Sequence, residues 1–246
     1  MVALVLLPGM DGTGTLFADF CAALDQKIRP VIVSYPENQA FGYDELEACV
    51  RAVLPTHGPF VLLGESFSGP VAIALAASKP PGLVGLFLCC TFARNPVPRP
   101  QPLRSIVNML PWTARFSDLG VPLMLGRFST ASLRKNLRQA LARVPAATLR
   151  ARLRAVLDVD VSESLKEIDV PILYLQASRD HVVSKSAAIV IQSLSPHARV
   201  VTLEGPHLLL QALPVAVGNI VEEFATEMTA TYDPSLRTGA YRSLST

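Results

Sequence analysis

The stretch Gly64-Glu65-Ser66-Phe67-Ser68-Gly69 constrains this chain more than any other. It follows the apolar run 60–63 and leads through Pro70 into an apolar, alanine-rich segment ending near residue 78. A strand that turns directly into a helix brings two backbones close together, so the residues flanking the turn must be small. Gly64 meets that demand, and Ser68 is small without being glycine. Pro70 is tolerated because the first helical turn needs no internal N–H bond. Ser66 then sits on a sharp turn, exposed at a helix N-terminus, where its hydroxyl is a candidate nucleophile. Ser68 is a weaker candidate because it falls inside the helix. A helix cap without chemistry is the plain alternative for Ser66.

The surrounding pattern predicts the architecture. Short apolar runs at Val2–Leu7, 31–35, 60–63, 83–90, 172–176 and Arg199–Leu203 read as strands. Helical spacing appears at 16–24, 43–54, 67–78, 185–194 and 215–228. Near-continuous apolar strands alternating with helices predict an α/β fold, a mostly parallel β-sheet with helices on both faces. In 246 residues, half of them hydrophobic, one domain with a large core is expected. Between residues 91 and 169 the strand rhythm stops and proline-broken helices take over. This divides the chain into a core of 1–90 and 170–228, an inserted helical lid of 91–169, and a polar tail of 229–246.

In parallel sheets the functional groups collect in loops at the carboxyl ends of strands. Of the four histidines, His207 lies there, in Glu204-Gly205-Pro206-His207 after the last strand. His57 and His197 precede strands. His181 follows one and ranks second, as a loop or substrate contact. Asp180, in Ala177-Ser178-Arg179-Asp180-His181, lies at another strand end between Ser66 and His207. A carboxylate there can fix the imidazole tautomer and stabilise its protonated form; a salt bridge to Arg179 is the plain alternative. After the first strand, Pro8-Gly9-Met10-Asp11-Gly12-Thr13-Gly14 can turn its backbone N–H groups toward a developing oxyanion. Met10 and Phe67, the residue after the nucleophile, are the expected donors. The loop lacks the Gly-Lys-Ser/Thr ending of a phosphate loop and the glycine spacing of a dinucleotide fingerprint.

With the loop 8–12, the turn 64–69, Asp180 and His207 in this order, the sequence resembles the α/β-hydrolase family over nearly its whole length outside the lid and tail. The resemblance implies attack by Ser66 on an acyl substrate and an acyl-enzyme intermediate, with no cofactor and no metal. The family contains esterases, thioesterases, lipases, amidases, acyltransferases and a few receptors, so the fold does not select the reaction. A serine carboxylic-ester hydrolase is the first expectation. Alternatives are a thioesterase or methyl-esterase acting on acyl-CoA or acyl carrier protein, an acyltransferase, and a slow-turnover binding protein. Two positions depart from the family pattern: Ser68 stands for the usual glycine, and Pro8 stands where many members have a histidine that braces the loop. The chain also begins at the strand before that loop, without the two antiparallel strands that usually precede it, as a core with a shortened N-terminus.

Charge is uneven. The net charge of +2 points to no nucleic acid, yet from residue 91 to 157 the only acidic residue is Asp118 among many arginines. Leu133, Leu137, Leu141 and Val144 recur at helical spacing, which puts Arg134, Lys135 and Arg138 on or beside an exposed face. Arg134, Arg138, Arg150 and Arg154 could dock an acidic partner such as acyl carrier protein, or could simply pair with the body. Trp112 and Phe116 could line an acyl channel. The cysteines Cys21, Cys49, Cys89 and Cys90 lie in apolar stretches without metal-site spacing and read as small buried hydrophobes, with Cys89 and Cys90 on opposite faces of a strand. With no basic leader and no apolar run long enough to span a bilayer, the expected setting is cytoplasmic, as a monomer or homodimer.

Overall fold

In a computed structural model of the chain, residues 1–96 and 114–230 are described, the side chains of 114–119 excepted. Among them, the strands β1 (Val2–Leu7), β2 (Ile28–Ile32), β3 (Phe60–Glu65), β4 (Leu83–Cys89), β5 (Ile172–Ala177) and β6 (Arg199–Leu203) form one sheet. Its order is β2-β1-β3-β4-β5-β6, and every neighbouring pair is parallel. Each central strand is buried on both faces. Ala3, Val5 and Leu7 of β1 join one apolar cluster, while Val2, Leu4 and Leu6 join the other. Burying a Leu or Val on this scale contributes about 1.5–3 kcal/mol each, which explains why these runs carry almost no polar residue.

The core helices are α1 (Ala18–Ala23), α2 (Tyr43–Arg51) and α3 (Gly69–Ala77) before the insertion, and α8 (Ser186–Leu194), α9 (Leu209–Ala212) and α10 (Pro214–Ala230) after it. Helix α10 runs to Ala230, the last described residue, and takes in the first two residues of the expected tail; residues 231–246 lie outside the described residues. The chain steps from β1 out to β2, crosses back to β3 and continues the other way. The order therefore reverses between β1 and β3, and the loop after β1 and the turn after β3 lie side by side at this switch point.

One strand is displaced from its expected place. The second strand is 28–32, not 31–35, because its register follows β1, pairing Val2 with Ile28 and Leu6 with Ile32. Pro30 is accommodated because β2 is an edge strand. Val33 N still donates to Leu6 O at 3.0 Å; beyond it the chain leaves the sheet, and Tyr35 N donates instead to Gly12 O at 2.7 Å.

Among the described residues between β4 and β5 the helices are α4 (Ala114–Leu125), α5 (Ala131–Ala142), α6 (Ala146–Asp158) and α7 (Ser162–Lys166). Thr130 caps α5 by accepting from Leu133 N at 3.1 Å. The excursion enters and leaves through one antiparallel bridge, Arg94 to Asp160, flanked by Val161 N to Ala93 O at 2.8 Å and Asn95 N to Val159 O at 3.0 Å. Its helices pack back on the body. Val121, Leu125 and Leu137 share an apolar cluster with Leu208, the neighbour of His207.

Candidate active site

Strand β3 ends at Glu65, and a single 3-10 turn, Ser66–Ser68, joins it to α3. Ser66 has φ 49°, a left-handed conformation that a serine adopts only when its surroundings impose it. Those surroundings are visible. A Cβ at Gly64 would lie 2.8 Å from the Ala72 Cβ and 3.0 Å from Ser68 O, and one at Gly69 would overlap the Thr91 side chain. Thr91 in turn donates its hydroxyl to Ser66 O. The strained turn is therefore locked by a glycine on each side and by a threonine hydroxyl beneath it.

The structure brings Ser66, His207 and Asp180 together from three separate loops. Ser66 Oγ lies 2.8 Å from His207 Nε2, and His207 Nδ1 lies 2.8 Å from Asp180 Oδ2. The His207 and Asp180 side chains are each only 4% exposed. Asp180 Oδ1 accepts the Val182 and Val183 N–H groups, both at 2.8 Å. Burial by itself would push the Asp180 carboxyl up; the hydrogen bond and charge of His207, joined by those two N–H donors, outweigh it and hold the group below its ordinary value. Such a relay can take a proton from Ser66 while the carboxylate holds the imidazole orientation. The other histidines stand apart: His57, His181 and His197 are exposed, and His197 meets Ser195. Arg179 faces Glu204 at 3.7 Å rather than Asp180.

The loop after β1 is held at every carbonyl from Pro8 to Gly12. Ser68 Oγ donates to Pro8 O and meets Tyr35 OH at 2.7 Å. Gly12 N donates to Gly9 O at 3.0 Å, and Tyr35 N to Gly12 O. Arg152 Nη1 donates to Met10 O at 2.9 Å and to Asp11 O at 2.8 Å, and its Nη2 donates to Pro36 O at 3.2 Å. Asp11 is turned inward and accepts from Thr13 N at 2.9 Å and Thr13 Oγ1 at 2.6 Å. The two departures from the family pattern thus meet each other, because the hydroxyl that replaces a glycine at 68 grips the carbonyl of Pro8.

Arg152 was not singled out from sequence. It is only 1% exposed, projects from α6, and packs its guanidinium over the Tyr35 ring at 5.7 Å. The signal lay in spacing: Leu149, Arg152 and Val156 share the buried face of α6, so an arginine occupies an apolar stripe. Other insertion arginines behave as surface groups. Arg127 pairs with Glu204 and Arg143 with Glu37 on the body, and Arg134 donates to Ser129. Arg138 and Arg154 are exposed and Arg150 is half-buried. Trp112 and the side chain of Phe116 lie outside the described residues.

Two buried groups adjoin the site. Glu65, 2% exposed, is raised to about 8 by burial and by Asp11, against the lowering influence of Gln211 and the Gly9 N–H. Among the described residues, its Oε1 and both amide atoms of Gln211 are buried without a hydrogen-bond partner. Cys90 follows β4 with φ 48°, and this turn places it in the same apolar cluster as Cys89 rather than on the opposite face. Cys90, Asp180 and His207 offer a thiol, a carboxylate and an imidazole within 4.8 Å of one another, the one such group among the described residues that could hold a metal ion. The Asp180–His207 hydrogen bond already accounts for two of the three.

Comparison with known proteins places the fold. Residues 4–217 match the model of the alpha/beta hydrolase family. The pimeloyl-[acyl-carrier protein] methyl ester esterase of Aeromonas hydrophila is 29% identical over 243 residues, which cover 90% of this chain and 94% of that protein. The polyketide synthase ThaQ of Burkholderia thailandensis is 27% identical over 233 residues; these cover 82% of this chain but only 10% of the synthase. Among solved structures, the enol-lactonase of Burkholderia xenovorans superposes with a TM-score of 0.80 at 18% identity, over 92% of this chain and 91% of that one. By the match of its sequence over most of its length, the chain belongs to the α/β-hydrolase family.

Proposed function

We propose that this α/β hydrolase is a serine esterase that cleaves a carboxylic ester through an acyl-enzyme on Ser66. The observation that carries this reading is the Ser66–His207–Asp180 hydrogen-bonded relay, with Ser66 held at positive φ at the start of α3. In the first half-reaction Ser66 Oγ attacks the ester carbonyl while His207 Nε2 takes its proton. The backbone N–H groups of Met10 and Phe67 face the tetrahedral oxyanion. Collapse breaks the bond to the alkoxide, which leaves with the proton from His207. Water then loses a proton to His207 and attacks the acyl carbonyl, releasing the acid and restoring Ser66. Asp180 holds the Nδ1–H of His207 throughout and stays ionised.

A fluorophosphonate probe and a short-chain p-nitrophenyl ester test this together. Ser66→Ala is expected to lose labelling and to lose hydrolysis by a factor of at least about 10³. Full activity in that variant would sink the reading.

A second reading concerns the substrate. The relationship to a carrier-protein methyl ester esterase, together with exposed Lys135, Arg138 and Arg154 on the insertion, favours an acyl ester delivered by an acidic carrier protein. Here residues 91–169 act as a lid that offers a basic face. Reversing Arg138 and Arg150 to glutamate is expected to weaken cleavage of a carrier-bound methyl ester at least about tenfold and to spare p-nitrophenyl esters. Equal loss on both would remove the docking role. A panel that adds acyl-CoA and acyl-carrier thioesters separates esterase from thioesterase, and an alcohol acceptor separates hydrolysis from acyl transfer.

A further inference from the structure

We propose that Arg152 is a positioning residue for the oxyanion, acting through the backbone of residues 8–12 and tying the helical insertion to the catalytic step. The inference rests on the esterase reading above and adds a residue that touches neither the substrate nor the reacting atoms.

The argument starts from peptide planes. Each trans peptide carries a C=O and an N–H that point in opposite directions, and the described residues contain no cis bond. Fixing a carbonyl therefore aims the N–H of the following residue. Gly9 O accepts from Gly12 N, which aims the Met10 N–H the other way, and among the described residues none accepts from that N–H. The next two planes, whose carbonyls are Met10 O and Asp11 O, are both held by one nitrogen of Arg152, at 2.9 and 2.8 Å. Without that grip the Met10 and Asp11 carbonyls lose the donor that fixes these two planes. It contains Gly9 and Gly12, the latter at φ 68°, and two adjacent carbonyls that converge on one point instead of repelling each other apart. A positive guanidinium between them holds them there.

The chemistry of Arg152 itself supports a role beyond anchoring. Among the described residues no carboxylate closes an ion pair with it, its Nε is buried without a partner, and burial lowers its pKa against the pull of Asp11, Tyr35 and Glu37. A buried, unpaired guanidinium is a poor way to attach a helix, since an apolar side chain of similar size would dock α6 at lower cost. Its donors are spent on backbone carbonyls of one loop and its neighbour Pro36. The fork reaches three carbonyls at once, which an ammonium group does with less reach and no fixed plane. Gly12 completes the fit, because a Cβ there would overlap the guanidinium.

The test uses Arg152→Met, Arg152→Lys and Ser66→Ala beside wild type. For each, kcat and KM are measured on a p-nitrophenyl ester, with the inhibition constant of an alkyl boronic acid, whose serine adduct is tetrahedral and anionic, and the thermal midpoint. Arg152→Met is expected to lower kcat about tenfold or more, leave KM within about twofold, and weaken the boronate by the same factor as kcat. Arg152→Lys is expected to recover part of both losses. A kcat loss without boronate loss, or a KM rise at unchanged kcat, overturns the proposal, and so does wild-type kcat in Arg152→Met. If Arg152→Met does not fold, Arg152→Lys decides: intermediate kcat and boronate affinity support the proposal, and wild-type values of both overturn it. Should Ser66→Ala keep its activity, the esterase reading itself fails. An inactive Ser66→Ala beside fully active Arg152 variants overturns only the positioning role.

Discussion

The turn that carries Ser66 and the loop that carries Met10 sit on adjacent strands, and they are built in opposite ways. The turn is assembled from its own neighbourhood. Gly64, Gly69 and the start of α3 lie within five residues of Ser66, and Thr91 is the main contributor from elsewhere. The loop after β1 has almost nothing of its own beyond the Gly9–Gly12 bond and the Asp11–Thr13 contacts. Its shape is imposed by Tyr35, Ser68 and Arg152, the last of them 142 positions from Met10. On the esterase reading, the difference teaches that the nucleophile is a property of a local sequence, while the electrostatic partner it would need is a property of the assembled fold.

The largest expected effect falls on the carboxylate behind the Ser66–His207 pair. On the esterase reading, Asp180→Asn leaves the packing in place but lets His207 adopt the wrong tautomer. kcat should then fall by about 10³-fold or more with little change in unfolding midpoint. Loss of activity accompanied by loss of folding would mean that Asp180 acts as a structural strut.

The second effect breaks the turn itself. Gly69→Ala sets a methyl group against Thr91, which is fixed by its bond to Ser66 O. Urea unfolding should register a loss of about 1–3 kcal/mol. An unchanged midpoint would show that the turn yields more readily than its glycines imply.

Glu65 stands at the seam between turn and loop, and its effect depends on pH. Its folded value of about 8 lies above the ordinary carboxyl value of 4.5, so the folded state holds the proton more tightly. Stability from this group is complete below 4.5, declines as pH rises toward 8, and levels off above that, at no more than about 1.4 kcal/mol per pH unit. Glu65→Gln removes the dependence. Its melting temperature should exceed that of wild type at pH 8 and match it at pH 4.5. A constant difference across that window would place the ionisation elsewhere.

The smallest effect sharpens the contrast within the insertion. Arg143 pairs with Glu37 on the surface, one residue from the Pro36 carbonyl that Arg152 holds. Its side chain is 52% exposed, so Arg143→Ala should change stability by less than about 1 kcal/mol and leave kcat untouched. Two arginines from the same basic segment, at neighbouring points of the body, would then differ in kind.

What could be read in the sequence follows the same division. The turn, Asp180 and His207 each lie at the end of an apolar strand, and strand ends are visible as breaks in apolar runs. The strand at 28–32 was misplaced because its register comes from pairing with β1, which no local pattern reveals, and because Pro30 discourages a strand reading. Cys90 was read as continuing a strand, whereas its positive φ turns it toward His207 and Asp180. Arg152 was counted with its charged neighbours, since charge is read residue by residue and burial is not. The meeting of Ser68 with Pro8 was likewise out of reach: each was noticed as a departure, and only the fold makes one compensate for the other.

The Leu208 N–H donates to Met124 O at 3.2 Å, so the insertion touches the residue beside His207 as well as the loop at Met10. That makes the segment poorly portable. On the esterase reading, exchanging it for the equivalent helices of a relative, as an engineer would to import a new specificity, would also exchange two mechanical ties to the chemistry. A graft that carries an arginine at the place of Arg152 and a free carbonyl at the place of Met124 should keep its turnover. A graft chosen only for the walls of its pocket should bind the new substrate and convert it slowly.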